Sequence, residues 1–202
     1  MKTDRRMEIV QTACRLFSEK GFEDVSVMDI CREAGITKPT FYKYVKSKGD
    51  LLVPLYAGVE LEDAGIRTVP EIEAAAGPSH YERVMAILFI GYQHGERLGS
   101  RMYGQYLIYM LTDPDKTFHF RPEAREAMIR NIREGQAYGE IRNPSDPESI
   151  FLCIEHLNFG HSIDWVRYPD DPVKRRLKEV VDRVLDVDWD LVDQHKAEEA
   201  VV

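Results

Sequence analysis

The side chains best suited to chemistry in this chain crowd between positions 37 and 48: Thr37, Lys38, Pro39, Thr40, Tyr42, Lys43, Tyr44 and Lys48. Lysine ammonium groups neutralise phosphates, and they also reach guanine O6 and N7 in a major groove. Thr and Tyr hydroxyls bond phosphate oxygens and set register. The chemistry this predicts is non-covalent recognition of double-stranded DNA. Lys38, Thr40 and Lys43 are the candidates for base edges. Thr37, Tyr42, Tyr44 and Lys48 are the candidates for the phosphates. Between Ala34 and Gly49 there are four lysines and no acid. A lysine run is commonly only a solvated face. Here the lysines alternate with Thr and Tyr on a helix that starts at a proline.

Those residues need elements to hold them. Val27, Ile30, Cys31 and Ala34 recur at helical spacing, so they share one face, with Ser26 as the N-cap. Gly35 stops that helix and Ile36 anchors the turn. Thr37 then caps a second helix, and Pro39 falls in its first turn, where a missing N–H costs little. Phe41 and Val45, four apart, point inward and leave the polar residues outside. Upstream, Ile9, Ala13, Leu16 and Phe17 form the inward stripe of a first helix that stops at Gly21. The pattern is a helix-turn-helix, whose second helix enters the major groove.

These residues resemble the TetR-type transcriptional regulators. The resemblance runs from MEIVQTACRLFSEKGFEDVSVMDI through AGITKPTFYKYVKSKGDLL, about the first quarter of the chain. A weaker similarity appears at GQAYGEIRNPSDPESI and FGHSIDWV. Three positions depart from the commonest pattern. Pro39 stands where Gly is frequent, Tyr44 where His is frequent, and Gly49 where an acid is frequent. The resemblance implies a homodimer formed through the last two long helices. It also implies a palindromic DNA operator, release by a small-molecule effector, and repression as the typical outcome.

Charge is divided along the chain. Residues 1–50 hold ten Lys/Arg and eight Asp/Glu, a net of +2, whereas the other 152 hold 17 and 27, a net of −10. An acidic body repels phosphates, so DNA should be met only by the small basic face. The longest apolar run, about Val84 to Ile90, is too short to span a bilayer, and MKTDRRMEIV lacks the apolar core of a secretory signal. A cytoplasmic protein with no membrane partner is expected. Cys14, Cys31 and Cys153 are odd in number and scattered, which suits reduced thiols. His156 and His161 are five apart and diverge on a helix, and GHSID lacks the second Gly of a nucleophile elbow. No catalytic residue, metal site or cofactor is expected, and the chain is read as a non-enzyme. A purely structural helical partner is the other reading, but it would not need the lysine-rich face of residues 38–48.

The fold class expected is all-α. An N-terminal three-helix DNA-binding domain at 1–50 would be followed by a helical bundle at 51–202 for effector binding and dimerisation. Breaks place a fourth helix over about 47–63, then a linker or short helix at 66–79. Further helices follow at 80–99, 101–111, 123–137, 147–167 and 172–186, with a frayed tail after Asp188. The middle helices are rich in Tyr and Met. Tyr92, Met102, Tyr103, Tyr106, Tyr109 and Met110, with Phe159, are the candidates to line an effector cavity; plain core packing is the competing explanation. Gly91, Gly95, Gly99 and Gly104 fall near one face of those helices, which admits a neighbouring backbone or a ligand. In the last two helices Ile150, Ile154, Leu157 and His161, and Val173, Leu177, Val180 and Val184, form apolar stripes that the subunit's own core could equally cover; the resemblance to a family that dimerises through these helices assigns them to a dimer interface.

Overall fold

A computed structural model describes residues 5–57, 68–112 and 120–199, with side chains at all of these but 55–57, 91–98 and 197–199. The described residues form α-helices in this order: α1 Arg5–Lys20, α2 Val27–Glu33, α3 Lys38–Tyr44, α4 Leu52–Ala57, α5 Val69–Ala76, α6 His80–Leu98, α7 Ser100–Thr112, α8 Pro122–Tyr138, α9 Pro147–Arg167, α10 Val173–Leu185 and α11 Trp189–Glu199. A 3₁₀ turn at Gly49–Leu51 precedes α4. The expected all-α class holds: among the described residues strand pairing is limited to one isolated bridge, between Ile141 and Val187. No described helix is long and apolar enough to cross a membrane.

The chain divides into two compact units. Met1–Ile66 with His94–Thr117 form the first, and Arg67–Gln93 with Phe118–Val202 the second. In the first, the stripe of α1 is buried as its spacing predicts, with Val10 added to Ile9, Ala13, Leu16 and Phe17. Phe22 meets Phe17 edge-on, with ring centroids 5.0 Å apart. The fourth helix expected over 47–63 begins as the 3₁₀ turn; α4 is described to Ala57, and the remainder lies outside the described residues. Gly99 lies between α6 and α7, outside the helices, so the predicted row of four glycines is interrupted there. Gly91 and Gly95 have no described surroundings.

The second unit is built around Tyr81, Val84, Ile87 and Leu88 of α6, Met128 and Ile132 of α8, and Phe151 of α9. Four residues expected at a subunit interface belong to this core instead. Ile150, Ile154, Val173 and Leu177 are at most 3% exposed within their own subunit. An apolar stripe reports that a face is covered, not by which chain, and here α9 packs against both α8 and α10.

Residues 66–79 contain a helix, α5, closed at its start by a reciprocal cap between Thr68 and Glu71. The tail expected to fray is also helical. Val192 of α11 is fully buried, and Trp189 meets the Tyr81 ring edge-on at 5.1 Å. The Lys178 ammonium lies 4.7 Å from the Trp189 ring centre. His195 contacts the carboxylate of Glu140. Glu140 is itself fully buried and accepts the Tyr81 N–H at 2.9 Å and the Ser79 hydroxyl at 3.4 Å. Such a carboxylate is costly to bury unless these donors surround it, so the 139–142 loop, α6 and α11 are fixed together.

Candidate nucleic-acid interface

The interface is assembled by two short helices and the turn between them. Ser26 caps α2: its hydroxyl accepts the Asp29 N–H at 3.2 Å, and the Asp29 carboxylate accepts the Ser26 N–H at 2.9 Å. The donors at Ser26 hold the Asp29 carboxyl below the usual carboxylate range, with Arg32 adding attraction. Gly35 then takes φ +62°, a left-handed conformation that a side chain would strain. The Ile36 N–H returns to Cys31 O at 2.9 Å and closes the helix end. Thr37 caps α3 by accepting the Thr40 N–H at 3.4 Å, and Pro39 sits in the first turn.

Phe41 and Val45 are buried, as their spacing predicts, and they fix which face of α3 looks outward. Thr37, Lys38, Pro39, Tyr42 and Lys43 are exposed, and Thr40 and Tyr44 are half-buried. The Thr37 and Thr40 hydroxyls bond one another at 3.0 Å. The Tyr42 ring stands edge-on to Phe41 at 5.3 Å while remaining 54% exposed. Lys43 Nζ lies 5.9 Å from the Tyr44 ring centre. The result is two ammonium groups, a phenol and a hydroxyl pair projecting from one rigid helix. That arrangement can neutralise phosphates and present donors to base edges.

Lys48 has a different role from the phosphate contact expected of it. Its ammonium donates to Phe22 O at 2.8 Å and to Val25 O at 3.0 Å, and sits 4.1 Å from the Phe22 ring centre. These carbonyls end the α1–α2 turn. Lys48 therefore spends its charge holding that turn against the segment that follows α3. The sequence gives no local sign of this, because the partners lie 23 and 26 residues away.

Among the effector candidates, Met102, Tyr106 and Met110 are buried in α7 and Tyr103 is half-buried, with its ring centroid 5.7 Å from that of Tyr106. Burial pushes the Tyr106 phenol above its usual range. Tyr92 has no described side chain. Phe159 is half-buried on α9, in the other compact unit. Of the interface candidates, Leu157, His161, Val180 and Val184 keep partial exposure. His161 donates from Nδ1 to Leu157 O at 2.9 Å, and Asp164 pairs with Arg176 at 2.9 Å. Sequence reasoning missed Leu152 and Ile163, exposed apolar residues of α9 at 45% and 37%. Their eleven-residue separation puts them on one helix face, a signal that was present in the spacing.

Among the described residues, no cluster of three or more His, Cys, Asp or Glu could hold a metal ion.

Comparison with known proteins gives this geometry a context. Residues 9–54 match the family model described as bacterial regulatory proteins, tetR family. The uncharacterised HTH-type transcriptional regulator YdgC of Bacillus subtilis is 24% identical over 182 residues, which are 82% of this chain and 85% of that protein. EthR of Mycolicibacterium smegmatis, an HTH-type transcriptional regulator, is 46% identical over 52 residues, 26% of this chain and 24% of its own. A transcriptional regulator of the TetR/AcrR family from Thermobifida fusca superposes with a TM-score of 0.59 at 28% identity, covering 91% of this chain and 97% of that one. Thermus thermophilus FadR, a TetR family repressor solved in complex with lauroyl-CoA, superposes with a TM-score of 0.64 at 20% identity, covering 89% and 93%.

Proposed function

Since the chain belongs to the TetR family of DNA-binding bacterial transcription regulators, we propose that it is a dimeric repressor that reads a palindromic operator and leaves it when a small molecule binds. The observation that carries this is the outward face of α3. Lys38 and Lys43 project from a helix whose inward residues, Phe41 and Val45, are fully committed to the head. α3 enters the major groove. Lys38 and Lys43, with the Thr37–Thr40 hydroxyl pair beside them, meet the base edges, and Tyr42 and Tyr44 hold phosphates. One seven-residue helix reads only a few base pairs, so a useful specificity requires two heads related by a two-fold axis.

The dimer is assigned to the exposed side of α9 and α10. Leu152, Phe159 and Ile163 keep their apolar surface there, and Val180 and Val184 add to it. At Gly160 an added Cβ would meet nothing within 4 Å, so this side of α9 is open within the subunit. The effector is assigned to the aromatic middle helices, near Tyr103 and Tyr106. A hydrophobic ligand class is favoured by their Met and Tyr content, and Thermus thermophilus FadR, with its lauroyl-CoA, is a precedent in a similar fold. In this reading residues 1–50 carry the DNA-reading function and 51–202 the effector and dimer functions. A ligand needs a differential affinity of only about 1–3 kcal/mol for the non-binding arrangement to empty the operator.

The test is selection of bound duplexes from a random pool at moderate salt. A palindrome with half-sites about one helical turn apart, or a multiple of it, supports the reading. No enrichment over random DNA sinks it.

A further inference from the structure

Lys48, Gly49 and Asp50 make three separate long-range contacts in three consecutive residues. Lys48 holds the α1–α2 turn through Phe22 O and Val25 O. Asp50, a buried carboxylate, accepts the Lys46 N–H at 3.4 Å, just beyond the end of α3. Its other oxygen accepts the phenolic O–H of Tyr109, from α7, at 3.2 Å. Gly49 lies against the Tyr109 ring itself. A Cβ built on Gly49 would stand 2.5 Å from Tyr109 Cδ2 and 2.9 Å from Cε2, closer than any packed carbon tolerates. Only glycine fits there, which accounts for the departure at that position noted in the sequence.

From these contacts we infer that Tyr109 is a positioning residue for DNA reading: its ring and hydroxyl seat the Gly49–Asp50 turn and so fix the far end of the recognition helix α3. The inference rests on the DNA-reading role proposed above.

The packing of α7 on the head is uneven. Near its start, Arg101, Met102 and Gln105 face Phe17, Phe22 and Asp24 across a crevice of about 200 Å³. Two turns further on, Tyr109 is in tight contact. α7 therefore reaches the end of α3 through its C-terminal half, by way of Tyr109, Asp50 and the Lys46 N–H. Tyr109 touches no base and no phosphate in this scheme; its effect on DNA is carried wholly by the turn it holds.

The experiment is a cycle of variants titrated against the duplex selected from the random pool, using full-length protein well below its unfolding midpoint. Wild type and Lys43→Ala are the controls. Gly49→Ala should weaken binding by about tenfold, because the ring must leave its seat. Tyr109→Ala should weaken it by about threefold, and the double variant should be no worse than Tyr109→Ala alone, since the clash has gone. Tyr109→Phe keeps the ring and the packing, removes only the donor to Asp50, and should cost about threefold, which keeps the test valid if Gly49→Ala does not fold. A merely stabilising contact would lower the unfolding midpoint of these variants and leave their affinities at the wild-type value; that result overturns the inference. So does a double variant whose losses multiply. If wild type binds no duplex better than Lys43→Ala does, the DNA reading itself has failed and this inference falls with it. If wild type binds well and only the Gly49 and Tyr109 variants are silent, the inference alone is lost.

Discussion

Lys48→Met separates two roles that one lysine could play. Methionine keeps most of the stem and removes the ammonium. The structure assigns that ammonium two charge-assisted hydrogen bonds, at 2.8 and 3.0 Å, and a position 4.1 Å from the Phe22 ring centre. A hydrogen bond to a charged group contributes about 1.5–3 kcal/mol, and an exposed cation–π contact about 0.5–1. Lys48 is half-buried, and its two acceptor carbonyls become available to water once the ammonium is gone, so the sum is not reached. A loss of about 2 kcal/mol is the expected outcome, or roughly 4–8 °C in the unfolding midpoint for a chain of this length. The salt dependence of DNA binding gives the second reading. A lysine on a phosphate contributes about 0.9 to the slope of log K against log salt. Lys48→Met should leave that slope at the wild-type value, whereas a lysine that neutralised a phosphate would lower it on removal by about that amount per half-site. Unfolding by urea and duplex titration at four salt concentrations provide both numbers. A Lys48→Met variant of unchanged stability and reduced slope would refute the reasoning and return Lys48 to the phosphate.

Other outcomes follow from burial and exposure. Ile154→Ala should cost about 2–5 kcal/mol in urea unfolding, because the fully buried side chain leaves a cavity in the second unit's core; a loss under 1 kcal/mol would mean the residue is not packed as found. Ile163→Glu should turn the dimer into a monomer in sedimentation at micromolar concentration with the helical content intact, and persistence of the dimer would remove α9 from the interface. Burial raises the Cys31 thiol above its ordinary range, with Lys38 opposing it only weakly, and burial raises Cys14 too. Thiolate is the reactive form, so its fraction at neutral pH falls as the pKa rises. In timed alkylation read by mass spectrometry Cys31 should be the last thiol labelled, and early labelling of Cys31 would contradict its burial.

The head was the most legible part of the sequence because its logic is local. Thr37, Pro39, Phe41 and Val45 lie within nine residues, and cap, first turn and inward face are all set inside that window. Gly35 announces its left-handed turn by its identity alone. The second unit was legible as helices but not in its packing. Helix α9 is apolar on more than one side, so its spacing shows two stripes, Ile150 with Ile154 and Leu152 with Ile163, without saying which of them the subunit's own core covers. Helix α11 was missed because its anchors are distant: Trp189 rests on Tyr81, and His195 on Glu140. A short polar-rich segment has no reason to be helical until those partners exist. Lys48 shows the same limit within the candidate site. Its residue type suggested a phosphate, and only the folded turn shows that two carbonyls already hold its charge.

The most direct test of the central claim is the affinity of wild type and Lys43→Ala for the selected duplex and for a scrambled duplex of equal length. The account predicts that wild type prefers the selected duplex at least a thousandfold. Lys43→Ala should lose at least tenfold on that duplex, in line with about 1–3 kcal/mol per base contact, and much less on the scrambled one. Equal loss on both duplexes would make Lys43 a phosphate contact only. No loss on either would contradict the assignment of α3 as the helix that reads DNA.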